Sequence, residues 1–228
     1  MPPDADSAAI RKSVPEYFNE LYSAEERYWW RNGDPYSAAP DMFPLSLITQ
    51  QTLRAIAGRP PGTALDIGAG EGADSIRLAR LGYKVTALEI SEVAGEKIQR
   101  YAAEAGVDVS VEVTDVGQYH FTGEFDIVIC NGVLHYVDDK GAVIRGMQAA
   151  TSPGGLNVLS LWSTYTPVPA CHRSVRVYCD DEDGVVTQAY SNWIRKFIYF
   201  DRDKTETAHA DPVAHSHSHI KLIAEKPR

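Results

Sequence analysis

Asp66, Glu89 and Asp115 each fall within or just beyond a short apolar run, and Gly68, Gly70 and Gly72 follow Asp66 at every second position. Glycines spaced in this way let a backbone turn sharply and come close to a ligand with no Cβ in the way. The helical pattern from Asp74 to Leu81 begins at once, so unpaired N–H groups of a helix start lie behind the turn. Together these residues read as a nucleotide-cofactor loop. Gly68-x-Gly70-x-x-Ala73 satisfies the loose dinucleotide fingerprint, and Glu89 would then hold a ribose hydroxyl of NAD. Asp66 points the other way. A carboxylate directly before the glycines repels a pyrophosphate but suits an ammonium group. Asp115, after the third apolar run, can accept a hydrogen bond from an adenine amino group at the carboxyl ends of the strands. The acidic triple therefore fits a cationic cofactor without phosphate.

The elements that must carry these residues alternate. Strands are expected at 63–67, 84–89, 108–113, 125–130 and 156–161, and helices at 72–81, 91–105 and 138–151, the last ended by Ser152-Pro153-Gly154-Gly155. Apolar strands alternating with helices mean a parallel sheet covered on both faces. Runs 193–200 and 217–225 follow with no helix between them, which predicts an antiparallel closing pair. The expected fold is α/β: a doubly wound, mostly parallel seven-stranded sheet of Rossmann-like form with an antiparallel C-terminal hairpin. Upstream, Ser13 and Glu16 form a possible capping box with Pro15 in the first turn, and a second helix is expected over 45–57. The chain is read as one domain: residues 1–12 disordered, 13–60 a helical cap, 62–162 the cofactor-binding core, and 163–228 a substrate-side loop with the final strands.

At 228 residues, 44% hydrophobic and 23% charged, the chain suits one globular unit, and its formal charge of −9 argues against a nucleic-acid partner. Cys130, Cys171 and Cys179 are an odd set without a C-x-x-C pair, which suggests a reducing compartment. The N-terminus lacks a signal peptide's apolar core and no run reaches transmembrane length, so a cytoplasmic protein without membrane contact is expected. A monomer or homodimer is expected. His215, His217 and His219 alternate on a strand and so share one face; a solvated edge that binds metal weakly is expected there, and no metal is assigned.

At this point the sequence resembles the class I S-adenosylmethionine-dependent methyltransferases, over roughly residues 63–226. LDIGAGEG is similar to their glycine-rich motif, ALEIS to the acidic second-strand motif, VTDV to the adenine motif, FDIVICNGVLHYV to the fourth-strand motif and SPGGLNVLSL to the fifth strand. The style of LARLGYKVTALEIS and HSHIKLIAEK is most like the tellurite-resistance-type small-molecule methyltransferases, although Tyr28-Trp29-Trp30-Arg31 departs from that group. The resemblance implies S-adenosylmethionine as cofactor. It implies that Asp66 and the Gly68-Ala69-Gly70 backbone hold the methionine end, and that Glu89 takes the ribose hydroxyls above Ile90. It further implies that Asp115 and Val116 read the adenine, while Asn131, Gly132 and Leu134 line the sulfonium region.

The reaction expected is in-line methyl transfer to N, O or S of a small molecule or short peptide, with His135 as candidate base or pocket wall and Tyr136 steering the acceptor. Aromatic residues Tyr17, Tyr22, Tyr28 and Trp30 would form a lid, each ring near a cation contributing about 0.5–2 kcal/mol. Arg31 would meet a substrate carboxylate. Trp162 begins the other wall, where His172, Arg173 and Arg176 either clamp an anion or pair with the acidic run at 180–183. The rival readings are an adenosylmethionine-binding protein that does not methylate, such as a cyclase, and an NAD-dependent oxidoreductase. The oxidoreductase would need a catalytic Tyr-x-x-x-Lys or similar pair.

Overall fold

The computed structural model describes residues 12–29, 34–39, 45–169, 172, 174–206 and 214–228. Trp30, Arg31, Arg173, Cys171 and residues 1–11 lie outside the described residues. Seven strands form one sheet: β1 (Thr63–Ile67), β2 (Lys84–Glu89), β3 (Val109–Val113), β4 (Phe125–Asn131), β5 (Thr151–Trp162), β6 (Ile194–Glu206) and β7 (His215–Glu225), in the order β3-β2-β1-β4-β5-β7-β6. The pairs from β3 to β5 are parallel, and β7 runs antiparallel to both β5 and β6. Helices α1 (Val14–Ala24), α2 (Leu47–Ile56), α3 (Ala73–Arg80), α4 (Glu92–Glu104), α5 (Lys140–Ala149) and α6 (Val185–Ala189) complete the chain. No helix among the described residues is long and apolar enough to cross a membrane.

The two-residue period of the strands sorts the core into two layers. Leu65, Val128, Cys130, Leu159 and Leu222 meet α5 and α6 on one face, through Val143, Ile144, Met147, Val186 and Tyr190. Ala64, Ile127, Ile129, Val158 and Ile223 meet α2 on the other, through Ile48, Leu53 and Ile56. Because both faces of β1 and β4 are covered, the only solvent-facing outlets of the central strands are their ends. The carboxyl ends are where Asp66 and Asn131 lie.

Two expectations shift. Ser152-Pro153-Gly154-Gly155 does not precede β5 but lies within it, accommodated by a register break between Phe125↔Thr151 and Ile127↔Leu156. Gly154 at φ 79° takes up the extra length, and its N–H donates to the Lys226 carbonyl at 2.9 Å, which keeps the distorted strand paired. The final pair is longer than expected, and it is β6, not β7, that forms the margin of the sheet. The histidines of β7 therefore sit on an interior strand, and His217 is only 3% exposed. They are not a solvated edge. α6, absent from the sequence reading, starts where the Asp180 carboxylate accepts the Val185 and Val186 N–H groups at 3.3 and 2.9 Å.

The N-terminal segment is tied to the glycine turn after β1 by a buried ion pair. Glu71, 4% exposed between Gly70 and Gly72, accepts the Tyr28 and Trp29 N–H groups at 3.0 and 2.9 Å and the Lys97 ammonium at 3.0 Å. Lys97 also donates to the Glu25 carbonyl at 2.6 Å, and Ser91, the cap of α4, donates to Asn19 on α1 at 2.7 Å. Removing one member of such a pair leaves a buried charge uncompensated, which costs about 3–5 kcal/mol. We expect Glu71→Ala to lower the unfolding free energy measured in urea by that amount and to open residues 25–29 to limited proteolysis, and Glu71→Ala/Lys97→Met to recover part of the stability. Unchanged proteolysis in the single variant would show that the segment is held by its other contacts.

Candidate active site

β1 runs directly into the glycine turn. Gly68 and Gly70 take φ values of 65° and 57°, and both positions are closed to a side chain for a second reason. A Cβ on Gly68 would come within 2.2 Å of Val133, and one on Gly70 within 2.9 Å of the Tyr22 hydroxyl oxygen. The Gly68 and Ala69 N–H groups donate to the Leu88 carbonyl at 2.7 and 3.0 Å, locking the turn to the end of β2.

Glu89 ends β2 beside this turn and is 4% exposed. Its Oε2 accepts the Gly70 N–H at 2.7 Å, and its Oε1 accepts the Ile90 and Ser91 N–H groups, each at 3.0 Å. Burial pushes its carboxyl above the usual range, and these three N–H donors oppose that shift. Asp66 is 3% exposed and accepts the Ser75 hydroxyl at 2.6 Å. Its carboxyl is pushed up to about 7, by burial first and by the charge of Asp74 next, with the Ser75 hydrogen bond and Arg77 acting in the opposite sense. Asp115 follows β3 in an exposed position; its carboxylate accepts the Gly117 N–H at 2.8 Å and starts a short 3-10 turn that buries Val116. The Thr114 N–H donates to the Glu89 carbonyl at 2.8 Å, which fixes this turn against the end of β2. Asp66, Glu89 and Asp115 thus stand at the carboxyl ends of three adjacent strands.

On the other side of β1, Asn131 closes β4 and the Gly132 N–H donates to the Ser160 carbonyl at 2.7 Å. Leu134 is fully buried in the core between the sheet and α5, so it supports the turn from beneath. His135 is 2% exposed and stacks on Trp162 with ring centroids 4.3 Å apart and planes 13° from parallel. Its Nδ1 accepts the Trp162 N–H at 3.4 Å. Burial holds its imidazole well below the ordinary range, helped by the neighbouring His219, His172 and His217. Tyr136 is half-buried, and Phe18 of α1 packs edge-on against it at 5.1 Å. Burial pushes its phenol far up.

The expected aromatic lid divides. Tyr28 is buried with Tyr22 and Ala94, where it packs rather than faces an open site. Tyr22 lies over the glycine turn and accepts the Trp29 indole N–H at 3.1 Å, and Tyr17 packs edge-on against Phe18 at 5.1 Å. On the far wall the His172 ring lies 4.8 Å from Trp162 and 5.0 Å from His217. The acidic run is used elsewhere: Asp180 caps α6, Asp181 accepts the Thr164 hydroxyl, and Glu182 pairs with Arg202 at 2.5 Å. Sequence reasoning missed Glu71, Lys97, Asn19 and Phe18. A carboxylate inside a glycine run carries no periodic signal, and its partners lie far away in the chain. Ser75 carried a signal, being one helical turn beyond the glycines on the face turned towards Asp66.

Residues 64–155 match a family profile described as a methyltransferase domain. Two curated relatives are named ubiquinone biosynthesis O-methyltransferase. The one from Xanthomonas euvesicatoria pv. vesicatoria is 31% identical over 143 residues, covering 62% of this chain and 59% of that protein. The one from Caulobacter vibrioides is 32% identical over 163 residues, covering 67% of this chain and 65% of that protein. The chain thus spans less than two thirds of the length of these relatives. Among solved structures, TehB from Haemophilus influenzae has the same fold with a TM-score of 0.66 at 19% identity, over 76% of this chain and 60% of TehB. Magnesium protoporphyrin IX methyltransferase from Synechocystis PCC 6803, solved with bound SAM, gives a TM-score of 0.56 at 21% identity over 93% and 95% of the two chains. With the acidic strand ends and the sheet order described above, residues 64–155 are thus similar to a methyltransferase domain, on a sheet that shares its fold with solved methyltransferases, one of them with bound SAM.

Proposed function

We propose that the chain transfers the methyl group of S-adenosylmethionine to a hydroxyl oxygen of a small molecule by in-line displacement. The observation that carries the cofactor half of this reading is Glu89. A buried carboxylate held by three backbone N–H groups at the end of β2 is a rigid acceptor for the two ribose hydroxyls. Asp66 takes the methionine ammonium, the Gly68-Ala69-Gly70 turn lies along the methionine, Ile90 packs under the adenine, and Asp115 with Val116 reads its edge. Asn131 and Gly132 border the sulfonium. The choice of oxygen follows the curated relatives, which are named as O-methyltransferases.

A sulfonium-bound methyl group is already activated, so the protein's main task is to hold donor and acceptor in near-attack geometry and exclude water, worth about 7–11 kcal/mol. Tyr17, Phe18, Tyr22 and Tyr136 supply the apolar wall on the N-terminal side, and His135 with Trp162 the wall beyond β4 and β5. His135 serves as wall and hydrogen-bond donor rather than as general base. Its Nδ1 takes the Trp162 N–H, and a neutral imidazole in that arrangement carries its proton on Nε2. Tyr136 stays a phenol and orients the acceptor.

Two outcomes check this reading. Calorimetry is expected to show binding of S-adenosylmethionine and S-adenosylhomocysteine but not of NAD. Glu89→Ala, confirmed folded by circular dichroism, should lose about 3 kcal/mol of that affinity, on the order of 100-fold, because two hydrogen bonds to a charged acceptor vanish. Tight NAD uptake with indifference to the sulfonium compound would overturn it. The second concerns pH. With its carboxyl raised to about 7, Asp66 in the free protein is largely protonated at pH 6 and largely ionised at pH 8. The methionine ammonium prefers the ionised form, so cofactor affinity should rise with pH through about 7, with proton release that Asp66→Asn abolishes. For folding the sign is opposite. The native state binds more protons than the unfolded chain between the ordinary carboxylate range and about 7, so stability falls as pH rises across that window.

A further inference from the structure

β7 brings two imidazoles side by side, because residues two apart on a strand share a face. His215 and His217 have ring centroids 4.9 Å apart. The connection after β5 folds back and sets His172 against both, at 5.5 Å from His215 and 5.0 Å from His217. One ligand nitrogen from each of the three lies within 4.8 Å of the others. His172 and His217 are 5% and 3% exposed, and Trp162 closes the cluster, stacked on His217 at 4.4 Å. The three residues come from two segments far apart in the chain and converge on one point. Packing alone does not require this, since apolar rings would fill the same space without burying polar nitrogens.

We propose that His172, His215 and His217 form a binding site for one divalent transition metal of the zinc class, with an open fourth position. Zinc, cobalt and nickel accept neutral imidazole, and three protein ligands with a vacant position are the pattern of a reactive rather than a structural site. A metal–nitrogen distance of about 2.0–2.1 Å in tetrahedral geometry requires nitrogens about 3.4 Å apart, which small rotations of the three side chains supply. His219 points to the same face of β7 but is not among the converging nitrogens. Trp162, Thr166, Cys179, His217 and Ser218 line a shallow surface recess beside the cluster. Trp162 also stacks on His135, so the ion would lie one ring away from the acceptor side of the site.

The test uses the full chain with any affinity tag removed, stripped with a chelator and dialysed against zinc or cobalt. Mass spectrometry of the metal should give about one equivalent per chain, and cobalt should give visible bands of tetrahedral intensity. His172→Gln, His215→Gln and His217→Gln should each drop the content to about a tenth of an equivalent, while His219→Gln and His120→Gln keep the full value. Azide, as a small anionic probe, should shift the cobalt bands if the fourth position is open. Calorimetry with S-adenosylmethionine on the same samples tests the cofactor site separately: retained cofactor binding in the three variants shows that they are folded. Metal content below a tenth of an equivalent in the wild-type chain, equal loss in His219→Gln, or retention in the three variants would overturn the site. Bands unmoved by azide would overturn the open position.

Discussion

A carboxylate buried without a cation is unfavourable unless N–H donors converge on it, and the carboxyl edge of this sheet is built around two such groups. Glu89 meets the condition with three backbone donors, and those donors belong to the glycine turn and to the start of α4. The same hydrogen bonds that make the carboxylate tolerable therefore hold the Gly70 turn against β2. Asp66 meets the condition less completely, with one hydroxyl donor, and its carboxyl rises accordingly. The edge is poised for a cation that carries hydroxyls, and a phosphate-bearing ligand would face uncompensated repulsion there.

The N-terminal segment depends on that turn in a second way. Glu71 points away from the carboxylate edge and into the interface with α1 and α4, where Lys97 neutralises it and the backbone of Tyr28 and Trp29 satisfies it. The glycine loop, to which the proposed function gives the cofactor, is thus also the loop that anchors the N-terminal segment. Any movement of one is felt by the other through a pair less than a tenth exposed on both sides. Tyr22, lying over Gly70, adds a steric link to the electrostatic one.

Across the sheet, Trp162 organises the opposite wall. It stacks on His135 from the loop after β4 and on His217 from β7, and meets His172 from the long connection. Three separate segments are held by one indole, which gives this wall a stiffness that the loops alone would lack. The bent start of β5 contributes as well. By absorbing four residues of turn-forming type, it keeps β5 in register with β4 at Ser160, where Gly132 is fastened.

The alternating order of the core, its parallel strands, the antiparallel ending and the carboxylates at the strand ends were legible from the chain because each rests on local signals. Apolar runs bounded by glycine, and carboxylates at the ends of those runs, announce themselves within a few residues. Boundaries that depended on pairing were not legible. Ser152-Pro153-Gly154-Gly155 looks like a break because proline and glycine usually are one, and only the Lys226 backbone across the sheet makes it strand. Glu71 and Lys97 are 26 residues apart, and His172 lies far from His215 and His217; no periodicity marks either set. The sequence by itself determined which groups end at the carboxyl edge, because strand direction and length follow from local pattern. Which of the remaining polar side chains meet one another was decided by the tertiary structure, because burial and partner are properties of chain segments brought together only when the sheet closes.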